Sequence, residues 1–271
     1  MSADKTAIVL IAYGSCLASG LAALRTFEAR VRLRYPGIPV RWAYTSAHIR
    51  TRLALHVRRK SDSVVKAIQR LVLERFSPII AQPLQIITAT ENESVEELTR
   101  TVSGELGIPV SVGQPLLASD EDVALCARAI FTHLPAAREP GEDVIFVGHG
   151  ASHAAQSRYA QLCAAVRERD SAVHIATLSG NMRIETVLPH LSSARVWVVP
   201  FLSSIGKHTV SDIAGAGEGS VRSLLERDGR SCEVVKAGVL ENAAFADIWL
   251  SHLDAAAARF GLAPVLDAAD A

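Results

Sequence analysis

Short runs dense in Val and Ile recur along this chain, and between them lie longer segments whose apolar residues return at helical spacing. Strands joined through long crossovers are buried on both faces and read as continuous apolar runs, whereas half-exposed strands alternate. The pattern therefore confines the chain to parallel α/β architecture. In the first half the spacing predicts strands over 6–13, 39–45, 78–87 and 108–113. Helices fall at 20–34, 48–74 and 92–105, the long one broken near Ser61-Asp62-Ser63 by an N-cap signal. A helix over 120–134 leads into Pro135 to Asp143, whose prolines, glycine and charges mark a linker. The second half repeats the order, with strands over 144–148, 173–178, 195–202 and 232–237 and helices over 153–169, 183–192, 218–228 and 242–259. Two βαβ-based domains related by duplication are expected, 1–135 and 136–271, the last helix being free to pack back on the first domain. At 271 residues the chain is long enough to give each its own core.

Several function classes fall away on charge and composition. The 28 basic residues are balanced by 28 acidic ones, and the cationic run from Arg50 to Lys60 is a local cluster without interleaved aromatics, best read as a solvated helix face. Nucleic acid is not an expected partner. No apolar run approaches the roughly 20 residues needed to cross a bilayer, and Ala7 to Ala12 is too short for a signal segment and reads as the first strand. Cys16, Cys126, Cys163 and Cys232 form no C-x-x-C pair. A cytoplasmic protein with reduced thiols and no membrane partner is the expectation, compatible with a homo-oligomer.

The chemistry concentrates in Val144-Ile-Phe-Val-Gly-His149-Gly-Ala-Ser-His153, where an apolar strand runs into a histidine flanked by glycines. Glycines on both sides permit a sharp turn and leave the imidazole uncovered at the carboxyl end of the strand, where open α/β sheets bind ligands. His208 stands in the matching place after the next-but-one strand, Arg195 to Ser204. Two imidazoles facing one cleft are the simplest way to hold a borderline divalent metal. The first strand of each half ends alike, in Tyr13-Gly14-Ser15 and Gly148-His149-Gly150, so both ends are expected to open onto a cleft between domains.

Other motifs carry less. Gly215-Ala-Gly-Glu-Gly-Ser220 follows no strand directly and lacks the Lys-Ser/Thr ending of a phosphate loop, so it reads as a surface loop. No G-x-S-x-G elbow supplies a serine nucleophile. His153 reads as a helix-start residue, and His56, His133, His174, His190 and His252 as structural or surface residues, with His48 set apart because it follows the second strand's carboxyl end.

The segments Ile11-Ala-Tyr13-Gly-Ser15, Tyr44-Thr-Ser-Ala-His-Ile-Arg50, Pro115-Leu-Leu117, Val147-Gly-His149-Gly-Ala-Ser-His153 and Gly206-Lys-His208-Thr-Val-Ser-Asp212 together resemble the anaerobic cobaltochelatases of the CbiK type, which put Co(II) into sirohydrochlorin. The resemblance covers nearly the whole chain in order. It implies a chelatase-like fold of two Rossmann-like domains, each with a four-stranded parallel sheet, and a tetrapyrrole cleft between them. By resemblance His149 would be base and first metal ligand and His208 the second ligand. Tyr13, Gly14 and Ser15 would offer backbone N–H and hydroxyl groups to sirohydrochlorin or a related carboxylated tetrapyrrole. Co(II) is the implied metal substrate, imidazole ligands also suit Fe(II) and Ni(II), and no nucleotide is implied.

The chain departs from that pattern at three places. Ser179 stands where the family carries a glutamate, Gln85 where it carries a histidine, and Lys207 where it carries an aspartate. These changes make the expected site more positive by about three charges, which opposes a bound dication and lowers the pKa of a nearby histidine. Glu91 matches an acidic residue of the family and remains available, with Glu185 a weaker alternative. Two readings follow: an active chelatase, or a diverged tetrapyrrole- or metal-binding paralogue that has lost efficient insertion with its glutamate.

Overall fold

The computed structural model describes residues 5–56, 61–88, 95–150 and 153–265. The N-terminal sheet contains β1 (Lys5–Ala12), β2 (Val40–Tyr44), β3 (Phe76–Pro83) and β4 (Val110–Val112), all parallel and in the order β2-β1-β3-β4. The second sheet repeats this arrangement with β5 (Asp143–Gly148), β6 (Val173–Thr177), β7 (Arg195–Pro200) and β8 (Ser231–Val234) in the order β6-β5-β7-β8. In each sheet the first strand in sequence has neighbours on both sides, so the chain reverses direction across it. The loops leaving β1 and β5 thus stand at the switch points where such sheets bind ligands.

The helices are α1 (Ala18–Arg34), α2 (Ala47–His56), α3 (Val64–Leu73), α4 (Val95–Leu106), α5 (Asp120–Thr132), α6 (His153–Arg169), α7 (Ile184–Val187), α8 (Val221–Arg227) and α9 (Ala243–Ala258). The expected interruption after His56 is present, with the Ser63 side chain accepting from the Lys66 N–H at the start of α3. The stretch expected as one helix over 183–192 is the single turn of α7 followed by a 3₁₀ turn at Leu188–His190, where Pro189 withholds an N–H. β3 and β7 stop short of the expected 87 and 202, at Pro83 and Pro200, which pair with Ile11 and Val147 at equivalent places in the two sheets. Proline has no N–H with which to extend a ladder.

Strand side chains alternate between faces, and each face has its own core. Ala7, Val9 and Ile11 pack with Ile79 and Ala81 against Ile68 and Leu71 of α3 and Val102 of α4. In the second sheet Ile145, Val147, Val196 and Val198 meet Ile184 and Leu225. The opposite faces join one large core that includes Leu10, Phe27, Phe146, Phe201, Phe245 and Trp249, most of it fully buried. Segment 135–143, expected as a linker, is a pinned turn: Arg138 pairs with Asp170 at 2.9 Å and its Nε donates to the Glu142 carbonyl at 2.8 Å. Helix α9 runs back over the N-terminal sheet. Its Trp249 indole donates to the Gln85 carbonyl at 3.3 Å, and Asp254 accepts from the Tyr35 hydroxyl at 2.7 Å. No helix among the described residues is long and apolar enough to cross a membrane.

Candidate functional site

The turn carrying His149 is built by two glycines with different duties. A Cβ on Gly148 would sit 2.6 Å from the ring of Tyr159, a buried side chain of α6, so only glycine lets that ring close under the strand end. Gly150 holds φ at +94°, and a Cβ there would meet the Ser179 carbonyl at 2.2 Å. The β5–β6 ladder continues past both strands: the Leu178 N–H donates to the Gly148 carbonyl at 2.9 Å and the Ser179 N–H to the His149 carbonyl at 3.1 Å. The Ser179 hydroxyl donates to that same carbonyl at 2.9 Å. Ser179 is thus exposed and directly beside His149.

His208 arrives from the other side, on the loop that leaves β7. It stands at the entry to a π-helical turn, Thr209–Ile213, closed by a bond from the Ala214 N–H to the Thr209 carbonyl at 2.9 Å. The His149 and His208 rings lie 4.8 Å apart, centroid to centroid, inclined at 76°. Tyr13, at the end of β1 and 55% exposed, brings its ring to 6.4 Å from His208. Residues from β1, β5 and β7 therefore meet at one place, as the glycine and histidine spacing predicted. The Asp212 carboxylate lies 2.6 Å from His208 Nδ1. Sequence reasoning gave Asp212 no role, although its spacing four residues beyond His208 on a helical turn was the available signal.

Electrostatics at this site differ from the expected excess of positive charge. The His149 pKa is lowered first by desolvation from the protein around its ring and second by His208; a hydrogen bond with the Gly150 backbone and the Asp212 charge act the other way. Lys207 is exposed, so its charge is screened by solvent. Asp212 brings one carboxylate to this site, against His208.

Other sequence-predicted residues take different places. Gly14 holds φ at +98° and lies tight against Tyr44 and Ile49. The Ser15 hydroxyl, expected to meet the macrocycle, is fully buried, donates to the Ile205 carbonyl at 2.8 Å and accepts from the Leu17 N–H at 3.1 Å. It ties the start of α1 to the loop that carries His208. Glu91 lies outside the described residues. Glu185 is exposed and faces Arg183 at 3.5 Å. His48 is exposed near the start of α2, while His174 and His252 hold structural partners, Asp143 at 2.8 Å and Asp122 at 2.9 Å. A separate concavity lined by Gln85, Thr99, Arg100, Ser103, Gln114 and Arg259 contains neither His149 nor His208.

Among the described residues no three His, Cys, Asp or Glu side chains gather as a metal cage. Two imidazoles at 4.8 Å could fill only part of a divalent cation's coordination shell.

Comparison with known proteins gives a consistent result. The family model described as cobalt chelatase (CbiK) matches residues 6–258. The sirohydrochlorin cobaltochelatase CbiKC of Nitratidesulfovibrio vulgaris is 42% identical over 256 residues, covering 93% of this chain and 90% of that protein. The sirohydrochlorin cobaltochelatase of Salmonella typhimurium is 25% identical over 214 residues, 78% of this chain and 80% of the other. Among solved structures, the sirohydrochlorin chelatase SirB from Bacillus subtilis subspecies spizizenii, in complex with cobalt, superposes with a TM-score of 0.63 at 14% identity. That alignment covers 96% of this chain and 99% of the other, and it supports the chelatase-like fold.

Proposed function

The chain belongs to the cobalt chelatase (CbiK) family, and from that premise we propose that it inserts Co(II) into sirohydrochlorin, without a nucleotide, between the carboxyl ends of its two sheets. The observation that carries this reading is the His149–His208 pair at 4.8 Å, assembled by loops from two strands of the second sheet and flanked by Tyr13 from the first. In this reading residues 1–135 and 136–271 are the two domains whose facing ends form the cleft.

Insertion replaces two pyrrole protons by one dication, so the site must bind Co(II), release it and dispose of two protons. A neutral imidazole has one lone pair and serves one role at a time. His149 and His208 would hold the partly hydrated metal; as the pyrrole nitrogens displace them, His149 would regain its lone pair and accept one of the two protons, while the other would leave on the water that the metal sheds. Tyr13 places an exposed aromatic face where one face of the macrocycle would lie. Fe(II) and Ni(II) fit the same donors and belong in the assay.

A lowered His149 pKa keeps the ring neutral at pH values where an ordinary imidazole, with a pKa of roughly 6.5, is already half protonated. Insertion is therefore expected to persist below that pH and fall only on further acidification. Lys207→Ala should leave the acid limb of the profile in place. A limb at or above the ordinary imidazole value would count against His149 as the titrating group.

The exposed Ser179 favours one competing reading, a paralogue that binds metal or tetrapyrrole but inserts poorly because no carboxylate stands beside His149. Single-turnover insertion by the purified native protein decides between them. Ser179→Glu is expected to tighten Co(II) binding by roughly tenfold, or about 1.4 kcal/mol. The insertion rate need not rise with it, because a metal held more firmly in the ground state is passed on less readily. Unchanged affinity by calorimetry would place the side chain out of reach of the metal.

A further inference from the structure

Asp212 has so far only a charge. Its carboxylate and His208 Nδ1 are 2.6 Å apart across a π-turn, and both side chains are partly open to water, at 44% and 35% exposed. Pairs this exposed contribute little to stability, so fold maintenance is a weak reason for the contact. π-turns are uncommon and recur at functional sites, where the extra residue in the turn re-aims a side chain. An ionised carboxylate can only accept a hydrogen bond. At this distance Nδ1 therefore carries the proton, and in the neutral ring the lone pair must reside on Nε2. Without such a partner the imidazole is free to adopt either tautomer and to rotate.

We infer that Asp212 is a positioning residue for His208: it fixes the Nδ1–H tautomer and the ring orientation, so that the Nε2 lone pair is presented to a metal beside His149. Histidines that ligate metals are commonly oriented in this way through the nitrogen that does not touch the metal. The inference rests on the chelatase reading for the identity of that metal, but the tautomer is a property of the metal-free protein. The arrangement would also bring an anionic group to within one imidazole of a cation bound by His208.

The test uses the full chain labelled with ¹⁵N-histidine, at a pH where His208 is neutral, together with Co(II) titration of native protein, Asp212→Ala and Asp212→Asn. Native His208 should show the Nδ1–H pattern. In Asp212→Ala it should pass to the Nε2–H form, with Co(II) affinity falling by about 10- to 100-fold. Asp212→Asn keeps an acceptor oxygen without the charge; it should retain the Nδ1–H form and lose less affinity than the alanine variant. An Nε2–H tautomer in the native protein, or a tautomer unmoved in Asp212→Ala, would overturn the inference. Equal losses of affinity in the two variants would overturn it too, by showing that charge alone matters. Failure of the native protein to insert Co(II) into sirohydrochlorin would tell against the chelatase reading instead, since neither measurement involves a tetrapyrrole.

Discussion

His149→Ala is expected to lower Co(II) insertion by about 10²- to 10⁴-fold, the scale on which loss of a positioned general base is felt, while leaving the urea midpoint of unfolding close to native. Both halves of that expectation come from the same geometry. The backbone of the turn is held by the conformations of Gly148 and Gly150 and by the continuing ladder to Leu178 and Ser179, with the imidazole adding one hydrogen bond to the Gly150 backbone. The residue lies at the open strand end and outside the buried core, so its removal leaves no cavity there. In the proposed mechanism it takes away one of two metal donors and the proton acceptor together. Folded variant protein that inserts Co(II) at near-native rate would remove His149 from the mechanism.

The second large effect lies at the opposite end of the same strand. Asp143 and His174 are each 1% exposed and joined at 2.8 Å, and the carboxylate also accepts from the Ser192 and Ser193 N–H groups, both at 2.7 Å, and from the Ser193 hydroxyl at 2.9 Å. Burial opposes ionisation of Asp143 and is the largest single influence, yet these hydrogen bonds together outweigh it and hold the carboxyl below its ordinary pKa. His174 is pushed down by burial, only partly offset by Asp143, and is therefore neutral near pH 7. Asp143→Ala would strand several buried donors at once, and the expected loss is about 3–5 kcal/mol of unfolding free energy in urea titration. A loss under about 1 kcal/mol would mean that water or the 192–193 loop replaces the carboxylate.

Acid stability follows with a definite sign. A histidine whose folded pKa is depressed binds protons more readily when unfolded, so stability starts to fall as the pH drops below roughly 6.5 and goes on falling to the folded value. The aspartate adds a second loss at lower pH, beginning near its unfolded value of about 3.9 and continuing as the pH falls through the depressed folded value. His174→Ala should flatten the upper part of that profile and, by removing one of the hydrogen bonds that hold the Asp143 pKa down, shrink the lower part.

The architecture was readable because burial on both faces forces continuous Val/Ile runs, and the strand-end glycines around His149 mark a turn that other residues cannot make. Strand lengths were less readable. The strands end at Pro83 and Pro200, short of the expected 87 and 202, with one last bond each from the Leu84 and Phe201 N–H to the Ile11 and Val147 carbonyls, and hydropathy alone does not mark that limit. Ser15 was misread for another reason: a serine after a strand looks the same whether its hydroxyl faces a ligand or a neighbouring loop, and the Ile205 carbonyl that claims it lies 190 residues away. Asp212 and the π-turn were missed because a single extra residue in a helical turn leaves no periodic trace in so short a segment.

That buried serine also couples two quantities that a tetrapyrrole enzyme would otherwise set separately. His208 follows the second sheet in sequence, but its loop is pinned through Ile205 to Ser15 at the head of α1, where Gly20 leaves no room for a side chain. Among the described residues His149 makes no hydrogen bond to the N-terminal half. In the proposed reading, a widening of the cleft that keeps the Ser15 contact would draw the His208 loop along with α1 and away from His149. The aperture for a flat macrocycle and the grip on its metal would then be one mechanical variable, and a cation held by both rings would act as a latch on the opening.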